Sequence, residues 1–522
     1  MLARTEATPD ALFLVDEEGR RLSFSEFHAA ALSAAAGLRE LGVGPGVVVA
    51  WALPTSINTC VIMAALSRLS VCQIPIVPTY GAREISHIVR DSVVDVMVVG
   101  ASKAVADYPA ILGSIATTNA GRPEVIALGS QLPTGDEGSL PPPPARPRPG
   151  DPGAVRWHFY TSGSSGLPKG VRHSDRGLAA VAGAMAARLE MGPSDRNGLA
   201  FPIAHVGGPI NLLASFVAGS AQVLLERFHP ARAVAVLQRE GVTMAGSGTA
   251  FHLGYLEVQR GQPGRPIFPG LRCCPGGGAP KPPGLHEEVK AQLGGAGILS
   301  GWGLTEAPVL TMGQSGDPDI KLSSTEGRPL PGVEVRVRLD DGEDLPAGAV
   351  GELRVRAPQM MIGYVDPLLN ADAFDEDGFL RSGDLGLVDD DGYVTITGRL
   401  KDVVIRNGEN ISAAEVEELI RLHPHVVDAV VVGLPDERTG ERLCAVVEQR
   451  AGREPLDVTR IGAHLQAHGL RRLAWPEQVE LVPSLPRTVA GKVDKPELRA
   501  RFTPGPADNP LSRDPGDEGD AP

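Results

Sequence analysis

Tyr160-Thr-Ser-Gly-Ser-Ser-Gly-Leu-Pro-Lys-Gly170 is the stretch on which the reading of this chain turns. It grows out of an apolar, β-branched and aromatic run, Ala154 to Thr161, that suits a strand. Hydroxyls, glycines and one lysine then follow within a few residues. Glycines let backbone N–H groups turn inward as an anion nest, hydroxyls add donors, and Lys169 adds a mobile positive charge. A polyphosphate is the natural guest. The P-loop of nucleotide triphosphatases needs Gly-Lys followed by Ser or Thr, whereas Pro168 precedes Lys169 here and Gly170 follows it. A Ser/Gly-rich linker would have no reason to follow a strand so closely or to end in Pro-Lys-Gly.

The chain of 522 residues is too long for one ordinary core, so two or more domains are expected. A formal net charge of −14, without clustered Lys and Arg, excludes a general nucleic-acid binder and an electrostatic membrane anchor. Charges occupy the start of the chain where a secretory peptide needs its apolar segment, and no run reaches the length of a membrane span. A cytoplasmic protein is expected. Five cysteines, Cys60, Cys72, Cys273, Cys274 and Cys444, lack Cys-x-x-Cys spacing and support neither a disulfide framework nor a zinc site. His423 and His425 beside Pro424 read as a helix stop.

Outward from the loop, helix and strand alternate. Ser23-Phe-Ser-Glu26 is a capping box that opens an Ala/Leu-rich helix ending near Gly42. Strands at Val47 to Trp51, Cys72 to Val77 and Val93 to Val99 alternate with helices at Asn58 to Leu69 and Glu84 to Asp91. This order favours an α/β architecture, a mostly parallel sheet covered on both sides. The Pro/Gly-rich segment Gln131 to Gly150 reads as a surface loop. A long alanine-rich helix spans Ser174 to Leu189, stopped by Gly192-Pro193.

Further stretches carry chemistry. Phe201-Pro-Ile-Ala-His-Val-Gly-Gly208 places one histidine in an apolar run. Small residues between Val242 and Phe251 suggest a roomy pocket for a bulky or ring-containing acid. In Cys274-Pro-Gly-Gly-Gly-Ala-Pro280 and Leu299-Ser-Gly-Trp-Gly-Leu-Thr-Glu306, glycines allow a flat purine to lie on the backbone, and Trp302 can cover its other face. From Thr325 short alternating strands form a small β subdomain. Within it Arg381-Ser-Gly-Asp-Leu-Gly386 sets one carboxylate between glycines, suited to the two hydroxyls of a ribose. Gly398-Arg-Leu-Lys-Asp-Val-Val-Ile-Arg-Asn-Gly408 and Pro486-Arg-Thr-Val-Ala-Gly-Lys-Val-Asp-Lys495 bracket a separate α+β segment, with a capping box at Ser412-Ala-Ala-Glu415.

Taken in order, from about residue 8 to residue 500, these motifs resemble the signatures of the adenylate-forming superfamily: acyl- and aryl-CoA synthetases, peptide-synthetase adenylation domains and firefly-type luciferases. The resemblance implies an AMP-binding N-terminal domain over 1–398, a hinge at 399–402 pivoting on Lys401, a mobile C-terminal domain over 403–503 and a disordered acidic tail, 504–522. It assigns ATP contacts to Thr161, Ser162, Gly163, Ser164, Ser165, Gly166 and Lys169, and to Gly277, Gly278, Ala279 and Trp302 around the adenine. Thr305 falls at the α-phosphate, Glu306 and Thr161 at Mg²⁺, and Asp384 and Arg399 at the ribose. Lys492 becomes the catalytic lysine, with His205, Thr305 and Glu306 as further catalytic residues. Gly408 lies beside the coenzyme A channel, and His205, Val206, Gly207 and Gly248 line the acyl pocket. Trp302 stands where tyrosine is commoner, which removes a hydroxyl. His205 stands where members that activate amino acids carry aspartate.

The expected activity is that of an ATP-dependent acyl-CoA ligase. A medium- or long-chain, alicyclic or aromatic carboxylate attacks the α-phosphorus of ATP, pyrophosphate leaves, and the acyl-AMP is taken by coenzyme A. ATP, Mg²⁺ and CoA are the expected cofactors and co-substrates. Partners are small molecules, with no nucleic acid and no membrane span, and a homodimer is compatible. Alternatives are a ligase that loads a carrier protein, a luciferase-like oxidase, and a catalytically inactive nucleotide-binding protein.

Overall fold

Ser23 Oγ accepts from the Glu26 N–H at 3.2 Å, and the Glu26 carboxylate accepts from the Ser23 N–H at 2.7 Å. This reciprocal cap, a motif worth about 1 kcal/mol, starts the helix Phe24–Glu40 where the sequence places it. The helix buries Phe24, Phe27, Ala34 and Leu38. Phe13, Phe24, Phe27 and Phe216 pack with ring centroids 4.7–5.3 Å apart, tying that helix to the strand Leu12–Val15 and the helix Gly207–Ala218. Burying each such ring contributes about 1.5–3 kcal/mol.

The computed structural model describes all residues except 1, 78–79, 101–122, 130, 144–154, 162–167, 247, 280, 340–342, 407–408, 437–438, 469, 471, 489–491 and 504–522, and except the side chains at 401, 405, 409–410 and 440. The central sheet has seven strands, in the order Gly363–Tyr364, Lys169–His173, Trp157–Thr161, Cys72–Pro75, Val48–Ala52, Val96–Gly100 and Glu124–Leu128. The last five run parallel, and the first two join as an antiparallel edge. Helices Ile57–Arg68, Ala82–Asp91 and Asp175–Arg188 accompany it, the last capped by Ser174. A five-stranded sheet sets Leu12–Val15 between Ala221–Leu224 and Arg21–Ser23. A third sheet runs Cys274–Gly277, Ile298–Trp302, Thr311–Met312 and Arg328–Pro329. The short strands of the β subdomain are Glu334–Arg338, Gly351–Arg356, Leu380–Val388 and Val394–Arg399. The chain thus has the α/β fold expected of it.

The described part of the Pro/Gly-rich segment, 131–143, is a surface loop that also has a packing role. It straps the first long helix: the Gly135 N–H donates to the Ser33 carbonyl at 3.1 Å, and Leu132 and Leu140 pack on the core. A Cβ at Gly37 would lie 2.6 Å from Thr134 N, so the strap needs glycine in the helix face it crosses.

The chain divides into two compact units, residues 1–382 with 386–396, and residues 383–385 with 397 onward. The second unit carries its own sheet: Glu409–Ser412, Val403–Arg406, Gly440–Gln449 and Val426–Asp436, with Gln478–Val482 parallel to Gly440–Gln449. Ser412 Oγ accepts from the Glu415 N–H at 3.3 Å at the head of the helix Ala413–Arg421. His423 and His425 follow that helix, their rings 5.0 Å apart. The five cysteines are free, four of them buried. Burial pushes the Cys72, Cys273 and Cys444 thiols up to about 12. Among the described residues no helix is long and apolar enough to cross a membrane.

Three imidazoles, two buried and one half-buried, set an acid limit on the fold. Burial pushes His158, His173 and His252 down to about 4, against an ordinary 6.5. Between these values the unfolded chain binds the protons and the folded chain does not, so stability is complete above pH 6.5 and falls as pH drops toward 4. Each pH unit of difference is worth about 1.4 kcal/mol per group. The unfolding temperature should therefore fall steeply from pH 6.5 to 4, and His173→Gln should make the fall shallower. An unaltered slope in the variant would remove His173 from this account.

Candidate active site

The stems of the 160–170 loop are described, although Ser162, Gly163, Ser164, Ser165 and Gly166 lie outside the described residues. Strand pairing sets Thr161 opposite Lys169 and Tyr160 opposite Gly170. A Cβ at Gly170 would lie 2.8 Å from the Tyr160 ring, so the tight stem admits only glycine there. The helix Ala82–Asp91 and the residues flanking it brace both stems. The Tyr80 hydroxyl donates to the Tyr160 carbonyl at 3.0 Å, and His87 Nε2 lies 2.9 Å from the Pro168 carbonyl oxygen, which an Nε2–H satisfies. The Tyr160 hydroxyl donates to Asp91 Oδ2 at 2.7 Å and lies 2.6 Å from Ser92 Oγ.

Thr305 and Glu306 occupy a turn beyond the strand Ile298–Trp302. His173, wholly buried, lies with Nε2 2.7 Å from the Thr305 carbonyl oxygen. As burial keeps this imidazole neutral, Nε2 carries the donated proton. The Met361 N–H donates to the Glu306 carbonyl at 2.7 Å. Three residues on, Val309 has φ of 47°, a left-handed conformation costing a β-branched residue roughly 1–2 kcal/mol. Such strain, beside a turn fixed from several directions, gathers at functional sites.

The glycine-rich stretch expected to take the purine is built from backbone against backbone. Cys274–Gly277 pairs in parallel with Ile298–Trp302, Gly276 beside Ser300 and Gly277 beside Gly301. A Cβ at Gly277 would stand 2.2 Å from the Gly301 carbonyl oxygen, and Gly278 has φ of 78°. Trp302, expected to cover one face of the purine, packs inward. It is 7% exposed and belongs to the apolar cluster of Val171, Ala307 and Leu310, because its strand turns the indole into the core.

His205 is exposed, with its ring 6.4 Å from Phe201 and perpendicular to it, at the mouth of the turn that starts the helix Gly207–Ala218. Val206 is buried, and a Cβ at Gly207 would meet the Phe201 ring at 3.1 Å. The argument for a roomy pocket from small residues fails at two positions. A Cβ at Gly246 would lie 2.8 Å from the Pro275 carbonyl oxygen, and one at Gly248, with φ of 123°, 2.7 Å from that of Gly277. Their missing side chains admit neighbouring backbone and leave no space.

In the second unit, Asp384 is buried and sits in the strand Leu380–Val388. Arg399 Nε donates to its Oδ1 at 2.7 Å, so the two residues assigned to the ribose form one ion pair. Lys401 belongs to the short turn Leu400–Asp402. Lys492 is exposed, and its carbonyl accepts from the Thr488 N–H at 2.7 Å, with Arg487 bridged to Val493 at the neck of the loop. Beyond the loop, Lys495 Nζ reaches Glu417 Oε1 at 2.9 Å and Asp402 Oδ2 at 3.4 Å. Gly408 lies outside the described residues.

Comparison with known proteins gives the family. The family model for the AMP-binding enzyme matches residues 2–365, and that for the AMP-binding enzyme C-terminal domain matches 415–492. This chain belongs to the adenylate-forming AMP-binding enzymes. It is 31% identical over 518 residues to a medium-chain fatty-acid–CoA ligase of Escherichia coli (strain K12), covering 94% of this chain and 88% of that one. A salicyl-AMP ligase/salicyl-S-ArCP synthetase of Mycobacterium tuberculosis is 32% identical over 510 residues, covering 93% and 87%. Among solved structures, ATP-bound MatB from Rhodopseudomonas palustris superposes with a TM-score of 0.85 at 27% identity, covering 94% and 96%. The adenylate-forming enzyme is therefore an ATP-dependent acid ligase.

Outside the sequence motifs, the structure adds Tyr80, His87, His173 and Tyr364. Each acts through a contact with a residue far along the chain, and no local pattern announces that.

Proposed function

We propose that this enzyme joins a medium- or long-chain, alicyclic or aromatic carboxylic acid to coenzyme A through an acyl-adenylate. The observation that carries the reading is the bond from His173 to the Thr305 carbonyl, which brings the Thr305–Glu306 turn beside the strand that begins at Lys169. The Glu306 carboxylate and the Lys169 ammonium both lie against Tyr364, so a carboxylate and a cation flank one space, the need of a reaction in which an anionic acid meets an anionic phosphate.

Magnesium takes one or two carboxylates and completes its shell with phosphate oxygens and water. Among the described residues no group of three or more His, Cys, Asp or Glu could hold a metal by itself. A single carboxylate, Glu306, fits an ion that arrives with ATP, with the Thr161 hydroxyl as a further oxygen. Bound there, the ion would neutralise phosphate charge. Lys169 and the loop donors hold the β- and γ-phosphates, Thr305 holds the α-phosphate, and Asp384 and Arg399 take the ribose. Lys492 meets the charge that develops at the α-phosphorus. Lys401 then serves as the pivot that brings Gly408 beside the incoming thiol. His205 and Val206 stand at the acyl pocket, and a histidine in place of a carboxylate speaks against a free α-amino acid.

The similarity to a salicyl-AMP ligase supports a second reading, transfer to a phosphopantetheinyl carrier protein. One panel of carboxylates, scored for ATP–pyrophosphate exchange and then for thioester on free CoA or on a carrier protein, separates the two. Thioester on CoA is expected. A panel that never yields AMP would end both.

A further inference from the structure

We propose that Tyr364 is a positioning residue of the phosphate site, holding the Glu306 carboxylate and the Lys169 ammonium at a set separation before nucleotide arrives. The inference rests on the reading of Glu306 as the carboxylate that receives the divalent cation.

Residues 361–365 lie between the two groups as a splint. On one side the Met361 N–H donates to the Glu306 carbonyl at 2.7 Å. On the other, the Ile362 N–H donates to the Arg172 carbonyl and the Val365 N–H to that of Gly170, both at 2.8 Å. Tyr364 stands opposite Val171 in the antiparallel pair, so Lys169, two residues along, is its diagonal neighbour on the same face. From there its hydroxyl donates to Glu306 Oε1 at 2.8 Å, while the Lys169 Nζ lies 5.9 Å from the centre of its ring. That separation is at the outer range for a cation over an aromatic face.

The splint is itself fixed. The Tyr364 N–H donates to Asn370 Oδ1 at 2.8 Å. Gly363 has φ of 144°, and a Cβ there would lie 2.9 Å from that same amide oxygen. One side chain therefore touches the candidate metal carboxylate through its hydroxyl and the candidate phosphate lysine through its ring. With Oε1 engaged by Tyr364, Oε2 remains for a cation, and the carboxylate loses less rotational freedom on binding.

The two contacts can be removed separately, because Tyr364→Phe loses only the hydroxyl and Tyr364→Leu loses the ring as well. Mn²⁺ binding to the enzyme with α,β-methylene-ATP, followed by electron paramagnetic resonance, gives a readout apart from turnover. ATP–pyrophosphate exchange supplies kcat and KM. Tyr364→Phe should weaken Mn²⁺ binding about tenfold, as for loss of a hydrogen bond to a charged group, and lower kcat with the KM for the acid unchanged. Tyr364→Leu should in addition raise the KM for ATP. In a Glu306→Gln background, Tyr364→Phe should have no further effect on Mn²⁺. If Tyr364→Phe leaves Mn²⁺ affinity and kcat within twofold while Glu306→Gln lowers both, the role of Tyr364 is refuted and that of Glu306 stands. If Glu306→Gln itself leaves Mn²⁺ affinity unchanged, both are refuted.

Discussion

Lys492→Ala is expected to lower adenylate formation by at least two to three orders of magnitude, on the order of 10²–10³ for one aligned donor to a developing charge. The reason is the charge of the reactants. The acid's own carboxylate is the nucleophile, so no serine or cysteine nucleophile is needed, and the barrier lies in bringing two anions together and holding them in line. Lys492 stands exposed on a loop closed at its neck by the Arg487–Val493 bridge. The bridge and the bond from the Thr488 N–H to the Lys492 carbonyl constrain its backbone. The same variant, given synthetic acyl-AMP, should still pass the acyl group to the thiol, because that half-reaction releases AMP and involves no attack on ATP. Equal loss in both halves would show that Lys492 serves the fold or both steps, and would remove it from the first step alone. Lys492→Arg keeps a charge but presents a planar fork in place of a compact ammonium, and should recover only part of the rate.

Much of the architecture was legible where the information is local. The Ser23–Glu26 cap, the alternation of short apolar strands with helices, and the Gly-rich turns all announce themselves within a few residues. Four of the seven strands of the central sheet follow from them with ends displaced by up to three residues, whereas Glu124–Leu128, Lys169–His173 and Gly363–Tyr364 do not. The surface loop at 131–143 was legible, but not its seat on the helix, because Gly37, about a hundred residues earlier, leaves the groove in which it lies. One reading failed because the deciding contact is remote. The small residues near 246 suggested empty volume, and the backbone of 275–277 fills it. Tyr364 went unnoticed for the same cause. A tyrosine in a two-residue strand has no signature, and its meaning comes from Glu306 and Lys169, which only the folded sheet brings within its reach.

Gly277→Ala tests whether the purine stretch is in fact a surface of packed backbone. The added Cβ would stand 2.2 Å from the Gly301 carbonyl oxygen, more than an ångström inside ordinary contact, and that oxygen belongs to a paired strand that cannot swing aside. Relief requires the two strands to part. Overpacking of this kind costs about 1–3 kcal/mol, occasionally more, and the displaced backbone is the surface on which adenine is proposed to lie. The KM for ATP should rise roughly tenfold to a hundredfold, with the first unit losing several degrees of unfolding temperature and the second unit unchanged. Gly276→Ala offers a contrast, since its Cβ would meet His252 Cε1, a side-chain atom, at 2.7 Å. There His252→Ala should restore part of the loss, and the same second substitution should do nothing for Gly277→Ala. Gly183→Ala, inside the helix Asp175–Arg188 with nothing within 4 Å of the new methyl, should stabilise the protein by about 0.5–1 kcal/mol and report that alanine as such is harmless. If Gly277→Ala unfolds and binds ATP like the parent while Gly183→Ala behaves as expected, the close approach of the two strands is not what shapes the nucleotide site.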